Sequence, residues 1–323
     1  MTFRVLVADK LSSDAVEVFQ NAEGFEVDVN TGLNPEVQRE IIGSYHALII
    51  RSSTTVDAAM VEAAKELRIV VRAGIGVDNV DLDACANAGI QVENTPFGNA
   101  ASAAEQAIAL LFALARHIPQ ANASTSAGRW EKSRFMGIEL GGKTLGVIGT
   151  GNIGAIVCER ARGIGMNVVA FDPALTDERA AEMKVEKVSL DELLGRADAL
   201  TLHVPLIPAT RGLLNAETFA KLKPGALLVN ASRGGVVDES AVIPAIEAGH
   251  LRGAAFDVFE KEPVAADHPF LSRDDIIVTP HLGASTSDAQ VRVGVQAAEQ
   301  IIAFLAGKEV INAVNQPASP RGA

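Results

Sequence analysis

An arginine, a glutamate and a histidine stand just past three apolar runs in the second half of this 323-residue chain. Arg233 comes after residues 228–230, Glu262 after residues 253–256 and Asp257, and His281 after residues 276–279. Open parallel sheets bind ligands at the carboxyl ends of their strands, so the three point to one site. The chemistry they could share is hydride transfer to or from a 2-oxo or 2-hydroxy acid. A guanidinium fork can hold a carboxylate and polarise a carbonyl. A histidine, with an ordinary pKa of about 6.5, can protonate the nascent alkoxide, while a carboxylate beside it orients the ring and favours the imidazolium. Taken singly the residues say less. Arg233 and Glu262 read equally as a surface ion pair, and His281 as a hydrogen-bonded structural histidine.

Hydride transfer needs a carrier, and the sequence Gly149-Thr150-Gly151-Asn152-Ile153-Gly154 supplies a place for one. It follows an apolar strand, 144–148, and opens a helical pattern running to about residue 164, the context that makes a GxGxxG string meaningful. The first glycine allows the tight turn, the second lets a pyrophosphate approach backbone, and the third lets helix and strand pack closely. The helix N-terminus then faces the phosphates. The strand 168–171 ends at Asp172, about 20 residues past the turn, where an acid accepts from a ribose diol. That spacing argues against a glycine turn without a ligand. With Pro173 and Ala174 next and no arginine beside it, Asp172 would repel a 2′-phosphate, so the expected cofactor is NAD rather than NADP. His203, at the end of strand 200–202, lies near this cofactor or simply packs. His46, His117, His250 and His268 show no partner pattern and read as surface or capping residues.

The elements that must position these groups alternate strand and helix. The first half carries strands at 5–8, near Val27, and at 47–50, 69–72 and 90–92, with helices from Ser12 and Asp57. That is a small α/β layer. A helix over 100–116, apolar on most faces and therefore buried, could bridge two domains. From 124 to 141 the period is lost, around the only tryptophan, Trp130. The second half then repeats strand and helix at least five times. A last helix over 287–305 is expected to fold back on the first domain, and the tail from Gln316 to fray.

Composition narrows the classes. With 48% hydrophobic residues and a mean hydropathy of +0.20, the chain suits parallel strands covered on both faces. The longest apolar helical run, 107–115, is far shorter than the roughly 20 residues of a spanning helix, and the N-terminus opens on a strand pattern rather than a signal peptide. A cytoplasmic location and no membrane partner are expected. A net charge of −12 opposes nucleic-acid binding. Cys85 and Cys158, far apart and outside any CxxC spacing, read as small core residues with no disulfide and no metal site. An acidic protein must gather cations locally to hold an anionic substrate. Arg51 follows strand 47–50 and Arg72 follows residues 69–71, so two guanidinium groups can converge as a phosphate clamp, with Lys132 or Arg134 of a partner subunit able to share the work. The plain alternative is that Arg51 and Arg72 make surface or interdomain ion pairs.

GTGNIG with Asp172, then "NASRGGVVDE", "FDVFEKEP" and "PHLGAST", in this order and spacing, resembles the D-isomer-specific 2-hydroxyacid dehydrogenase family over nearly the whole chain. "VVRAGIGVDNVDLDA", "NTPFGNAASAAEQ" and "GRWEKSRFMGIEL" are most similar to the branch that oxidises 3-phosphoglycerate to 3-phosphohydroxypyruvate for serine biosynthesis. The resemblance implies an α/β fold of two Rossmann-like domains, a doubly wound NAD-binding domain (99–286) inserted into a smaller flavodoxin-like substrate domain (1–98 and 287–323), with catalysis in the cleft between them. It implies Arg233, Glu262 and His281 as the catalytic set. Around NAD it implies Gly149, Gly151, Asn152, Ile153, Gly154, Asp172, His203, Val204, Thr210, Ala231, Ser232, Asp257 facing the carboxamide, Gly283 and Ala284. The substrate would meet Arg51, Ser52, Arg72 and the backbone of Gly74, Ile75 and Gly76. Ile75 stands where relatives often have threonine, which removes one hydroxyl contact. The segment 124–140 would pack on a second subunit in a homodimer or homotetramer. Ending at "NAVNQPASPRGA", the chain leaves no room for the C-terminal regulatory modules of longer relatives, so inhibition by serine through one is not expected. A glyoxylate or hydroxypyruvate reductase, or a non-catalytic NADH-sensing scaffold, remains open on the same fold.

Overall fold

The computed structural model describes residues 2–321. The chain divides into two units, one made of the chain up to Ala100 together with the chain from Ala284 onward, the other of Ala101–Gly283. The first unit is built on five parallel strands, β1 (Phe3–Val7), β2 (Phe25–Val29), β3 (Ala47–Ile50), β4 (Ile69–Arg72) and β5 (Gln91–Asn94), in the order β2-β1-β3-β4-β5. This is the flavodoxin-like order. Successive side chains of a strand point to opposite faces, and the sequence fills both. Val5, Val7, Ile49 and Val71 pack with Phe19, Val293, Ala297 and Ile301; Leu6, Leu48, Ile50 and Val70 pack with Ile42, Met60 and Cys85. Hence β3 reads as the unbroken apolar run Ala-Leu-Ile-Ile, buried at every residue. The helix Ser287–Leu305 lies on this unit, and a side chain at its Gly294 would come 2.9 Å from Ala15 Cβ on the helix Ser13–Gln20.

The second unit has seven parallel strands, β6 (Thr144–Ile148), β7 (Asn167–Phe171), β8 (Glu186–Lys187), β9 (Ala199–Leu202), β10 (Ala226–Asn230), β11 (Leu251–Phe256) and β12 (Ile276–Val278). Their order is β12-β11-β10-β9-β6-β7-β8, all parallel. Strand order reverses between β6 and β9, and the turn after β6 is the glycine string. Ligands of doubly wound sheets bind at that reversal. The helix Ala100–Arg116 buries Ala104, Ala107, Leu111 and Leu114 against Leu145, Val147, Val229 and Ala255 of the sheet.

Three features differ from the sequence expectations. The stretch that loses its period contains the end of a helix, Ile118–Ser126, and a 3-10 turn, Lys132–Phe135. The helix is nearly featureless in sequence because only Ser124 of its residues is buried. A short edge strand, β8, adds to the strands read from apolar runs, because both of its residues are charged and exposed. The tail expected to fray from Gln316 is instead tied down as far as Arg321, whose N–H donates to Gly89 O at 2.8 Å and whose guanidinium reaches the carbonyls of Ala64, Lys65 and Leu67. Cys85 and Cys158 are buried free thiols, and burial pushes each up to about 12. Among the described residues no helix is long and apolar enough to cross a membrane.

Candidate active site

At the end of β10, buried Asn230 folds the loop that carries Arg233. Its Oδ1 accepts from the N–H and hydroxyl of Ser232 at 3.1 and 2.9 Å, and its Nδ2 donates to Arg233 O at 3.0 Å. The Arg233 guanidinium donates to Ser232 O at 2.7 Å, and its charge reaches Glu262.

At the end of β11, Asp257 is fully buried. A buried carboxylate must be hydrogen-bonded, and this one spends itself on the segment after β12. Its Oδ1 accepts from Thr279 Oγ1 at 2.5 Å and Leu282 N–H at 2.8 Å, its Oδ2 from Gly283 N–H at 2.8 Å, and Gln106 Nε2 lies 3.5 Å from Oδ1. Those bonds fix the turn on which His281 stands. His281 has φ 55°, a left-handed conformation that a histidine adopts only at a cost, and such strain concentrates at functional sites. Its Nδ1 lies 2.7 Å from Glu262 Oε2, while Glu262 Oε1 accepts from Phe259 N–H at 3.0 Å. Burial pushes the Glu262 carboxyl up, but the bonds from His281 and Phe259 and the charges of His281 and Arg233 outweigh it and hold it below the usual range. Glu262 is therefore ionised at neutral pH and accepts a hydrogen bond from Nδ1–H. Nε2 is left as the nitrogen that can exchange a proton with a ligand.

The glycine turn has the shape a pyrophosphate needs. Gly149 has φ 91°, and a Cβ there would come 2.5 Å from His203 O and 2.7 Å from Val204 Cγ1. A Cβ on Gly154 would meet Gly149 O at 2.0 Å, so the helix Asn152–Gly163 can approach β6 this closely only with glycine. Gly151 differs. Its φ is −64° and a Cβ would meet no protein atom within 4 Å, so the protein itself does not require glycine there. A ligand drawn to the N-terminus of that helix, where no side chain caps, would require it. Asp172 follows β7 with Oδ2 held by Thr150 N–H (2.7 Å) and hydroxyl (3.1 Å), and Oδ1 by Ala174 N–H (2.8 Å). Glycine turn, uncapped helix and anchored acid together fit a dinucleotide. His203 bonds Thr201 Oγ1 through Nε2 at 2.9 Å, and its Nδ1 is buried without a partner. Thr210 spends its hydroxyl on its own turn, donating to Pro205 O and accepting from Ile207 N–H. Ile153 and Ala231 pack against the core.

The residues expected to meet substrate lie in the other unit. Arg51 follows Ile50, whose register partner on β4 is Arg72, so the two arginines stand at adjacent strand ends. Buried Asp9 accepts from Arg51 N–H at 2.6 Å and Thr54 N–H at 3.1 Å, and Asn79 Nδ2 donates to Arg51 O and Thr54 O at 2.7 and 2.6 Å. These bonds shape the loop that exposes Ser52. Gly74 has φ 146°, and a Cβ there would sit 1.6 Å from Arg72 Nη1, so only glycine lets the guanidinium lie where it does. The carbonyls of Gly74 and Ile75 are held by Thr95 N–H (3.1 Å) and Asn94 Nδ2 (2.7 Å), ahead of Gly76. Sequence reasoning passed over Asp9, Asn79, Thr150, Gln106 and Thr279. Each acts by a hydrogen bond to a residue distant in sequence, which leaves no periodic mark; only Thr150, inside the glycine string, had a local signal.

Residues 108–283 match the D-isomer specific 2-hydroxyacid dehydrogenase, NAD binding domain family. A D-3-phosphoglycerate dehydrogenase of Archaeoglobus fulgidus is 48% identical over 314 residues, 97% of this chain and 59% of that protein. The chain thus spans about six-tenths of the length of such curated relatives. Among solved structures, the TT0316 protein of Thermus thermophilus superposes with a TM-score of 0.89 at 35% identity, covering 97% of this chain and 100% of that one. The cofactor (NAD+)-bound 3-phosphoglycerate dehydrogenase of Entamoeba histolytica does so at 0.82 and 29%, covering 98% and 99%. The reversed strand order, the dinucleotide turn and a match over more than half of its length agree: this chain belongs to the D-isomer specific 2-hydroxyacid dehydrogenase family and carries that family's NAD-binding domain.

Proposed function

We propose that this protein is an NAD-dependent dehydrogenase that oxidises D-2-hydroxy acids, with 3-phospho-D-glycerate, converted to 3-phosphohydroxypyruvate, as its substrate. The observation that carries the reading is the His281–Glu262 pair at 2.7 Å, on a turn anchored by Asp257 in the same unit as the glycine string. NAD, when bound, would supply the hydride acceptor needed for the substrate C2 hydroxyl to become a carbonyl. The hydroxyl proton passes to His281 Nε2, because Nδ1 is committed to Glu262. Arg233 neutralises the substrate carboxylate and polarises the C2 oxygen. Asp172, tethered by Thr150, takes the ribose diol and selects NAD over NADP.

Arg51 and Arg72 at adjacent strand ends support a phosphorylated substrate, as do the names of the relatives. Assembly into a homodimer or larger through residues 124–140 is part of the same proposal, supported by Trp130 and Met136, which are 86% and 75% exposed in the single chain; so is a cytoplasmic location. The test is turnover of 3-phosphoglycerate, D-glycerate, glyoxylate and hydroxypyruvate with both cofactors. 3-Phosphoglycerate with NAD is expected to lead. Arg51→Ala and Arg72→Ala should each cost the phosphorylated substrate about 1.5–3 kcal/mol in kcat/KM and barely touch D-glycerate. Equal losses on both would place the arginines in general structure. Better parent activity on glyoxylate or hydroxypyruvate would make the protein a reductase of those acids, and binding of NADH without turnover of any acid would make it a sensor.

A further inference from the structure

A second glutamate–histidine pair lies in the same unit. Glu239 opens the helix Glu239–Glu247, and His268 precedes the 3-10 turn Pro269–Ser272. His268 Nε2 is 3.1 Å from Glu239 Oε2, with the side chains only 19% and 14% exposed. Hydrogen bonding fixes the tautomer. Phe270 N–H donates to His268 Nδ1 at 3.3 Å, so Nδ1 is the bare nitrogen and Nε2–H is directed at Glu239. The ring stands edge-on to Phe259 and Phe270, with centroids 5.8 and 4.7 Å away.

The other oxygen of Glu239 accepts from Glu260 N–H at 2.6 Å. The preceding amide, Phe259 N–H, donates to Glu262 Oε1 at 3.0 Å. Two consecutive amides of one loop are therefore divided between two glutamates, one facing inward to His268 and the other facing His281. The loop of Arg233 rests on the same peptide, since a Cβ on Gly234 would fall 1.8 Å from Phe259 O and 2.6 Å from Glu260 N.

We propose that Glu239 and His268 are positioning residues that clamp the Phe259–Glu260 peptide, and so keep Glu262 aimed at His281 Nδ1. The proposal rests on the reading of His281 as the proton-exchanging group. A merely structural pair would hold the helix and the 3-10 turn without governing Glu262.

Substitutions at His268 separate the two. Glutamine places an amide donor where Nε2 is and can still bond Glu239; asparagine places an acceptor where Nδ1 is, keeps the Phe270 bond and lets Glu239 go. His268→Asn is expected to lose about ten- to a hundredfold in kcat with NADH and a 2-oxo acid, the scale of a small misplacement of a reacting group. KM and NADH affinity should hardly move, and His268→Gln should lose far less. Glu239→Gln should behave like His268→Asn, because Glu260 N–H and His268 Nε2–H meet different oxygens of Glu239 and glutamine turns one of the two into a donor. If Glu239→Gln does not fold, the two His268 variants carry the test. In a Glu262→Gln background, His268→Asn should add no further loss, since both act on one pair.

The chain has six histidines, so the ring signal of His281 in labelled protein can be identified by its loss in His281→Ala. In His268→Asn that signal should move toward its position in Glu262→Gln. This measurement needs no turnover, so an inactive parent would refute the dehydrogenase reading while leaving the clamp testable. Equal kcat in the Asn and Gln variants with an unmoved His281 signal, or losses that multiply with Glu262→Gln, would overturn the proposal.

Discussion

The two glutamate–histidine pairs use the same side chains to opposite ends. In the outer pair the imidazole of His281 is 49% exposed, stands on a strained φ of 55°, and meets Glu262 through Nδ1, leaving Nε2 open. In the inner pair the His268 side chain is 19% exposed, flanked by phenylalanines, and has both nitrogens committed. A histidine with one nitrogen held by a carboxylate and the other facing outward can move protons. With both nitrogens spent inside, it can only hold shape. Histidine beside an acid is thus no signature of catalysis; an uncommitted nitrogen that faces outward is what proton exchange needs.

The sharpest test exchanges the same substitution between the pairs. His281→Ala should bind NADH normally and keep its melting temperature while turnover falls by about 10²–10⁴-fold, the usual share of a positioned acid or base. His268→Ala empties a packed site and should cost about 1–3 kcal/mol of folding stability, read by denaturant unfolding. If His281→Ala turns over normally, the proton comes from elsewhere and the contrast fails.

A smaller effect should come from the peptide the pairs share. Gly234→Ala pushes a methyl group into Phe259 O, and because that contact is backbone, relief requires moving the loop. Overpacking of this kind costs about 1–3 kcal/mol. Turnover and affinity for the 2-oxo acid should fall with stability, and NADH should remain bound. A Gly234→Ala protein with full turnover would show that the Arg233 loop does not depend on that contact.

How much of this was legible in the sequence follows from which forces leave periodic marks. Burial does: β3, β4 and β6 and the helices Ala100–Arg116 and Ser287–Leu305 have the bounds read from their apolar runs. Weak burial does not, and the helix Ile118–Ser126, entered through a left-handed His117 (φ 53°), went unread. Local motifs do, and the glycine string with Asp172 stands where its spacing placed it, at the strand-order reversal. Long-range hydrogen bonds do not. His268, read as a surface or capping residue, does cap through Nδ1, but its bond to Glu239, 29 residues away, was invisible. The same blindness hid Asp9 behind the Arg51 loop and Arg321 on the Gly89 turn.

A third histidine sharpens the comparison by lacking an acid. His203 meets only the hydroxyl of Thr201, its Nδ1 is buried without a partner, and burial pushes its pKa down to about 3. In the unfolded chain the same ring titrates near 6.5. Between those values the unfolded chain binds a proton that the folded protein refuses, so stability rises with pH across the window. The contribution is complete above about pH 6.5 and is lost as pH falls toward 3. A neutral ring also suits its position against the glycine turn, where a Cβ on Gly149 would already touch His203 O. His203→Gln can keep the bond to Thr201 without a titrating group, and should lose less melting temperature than the parent between pH 7 and about 4. Parallel curves for the two proteins would mean that the ring takes up its proton without unfolding the chain.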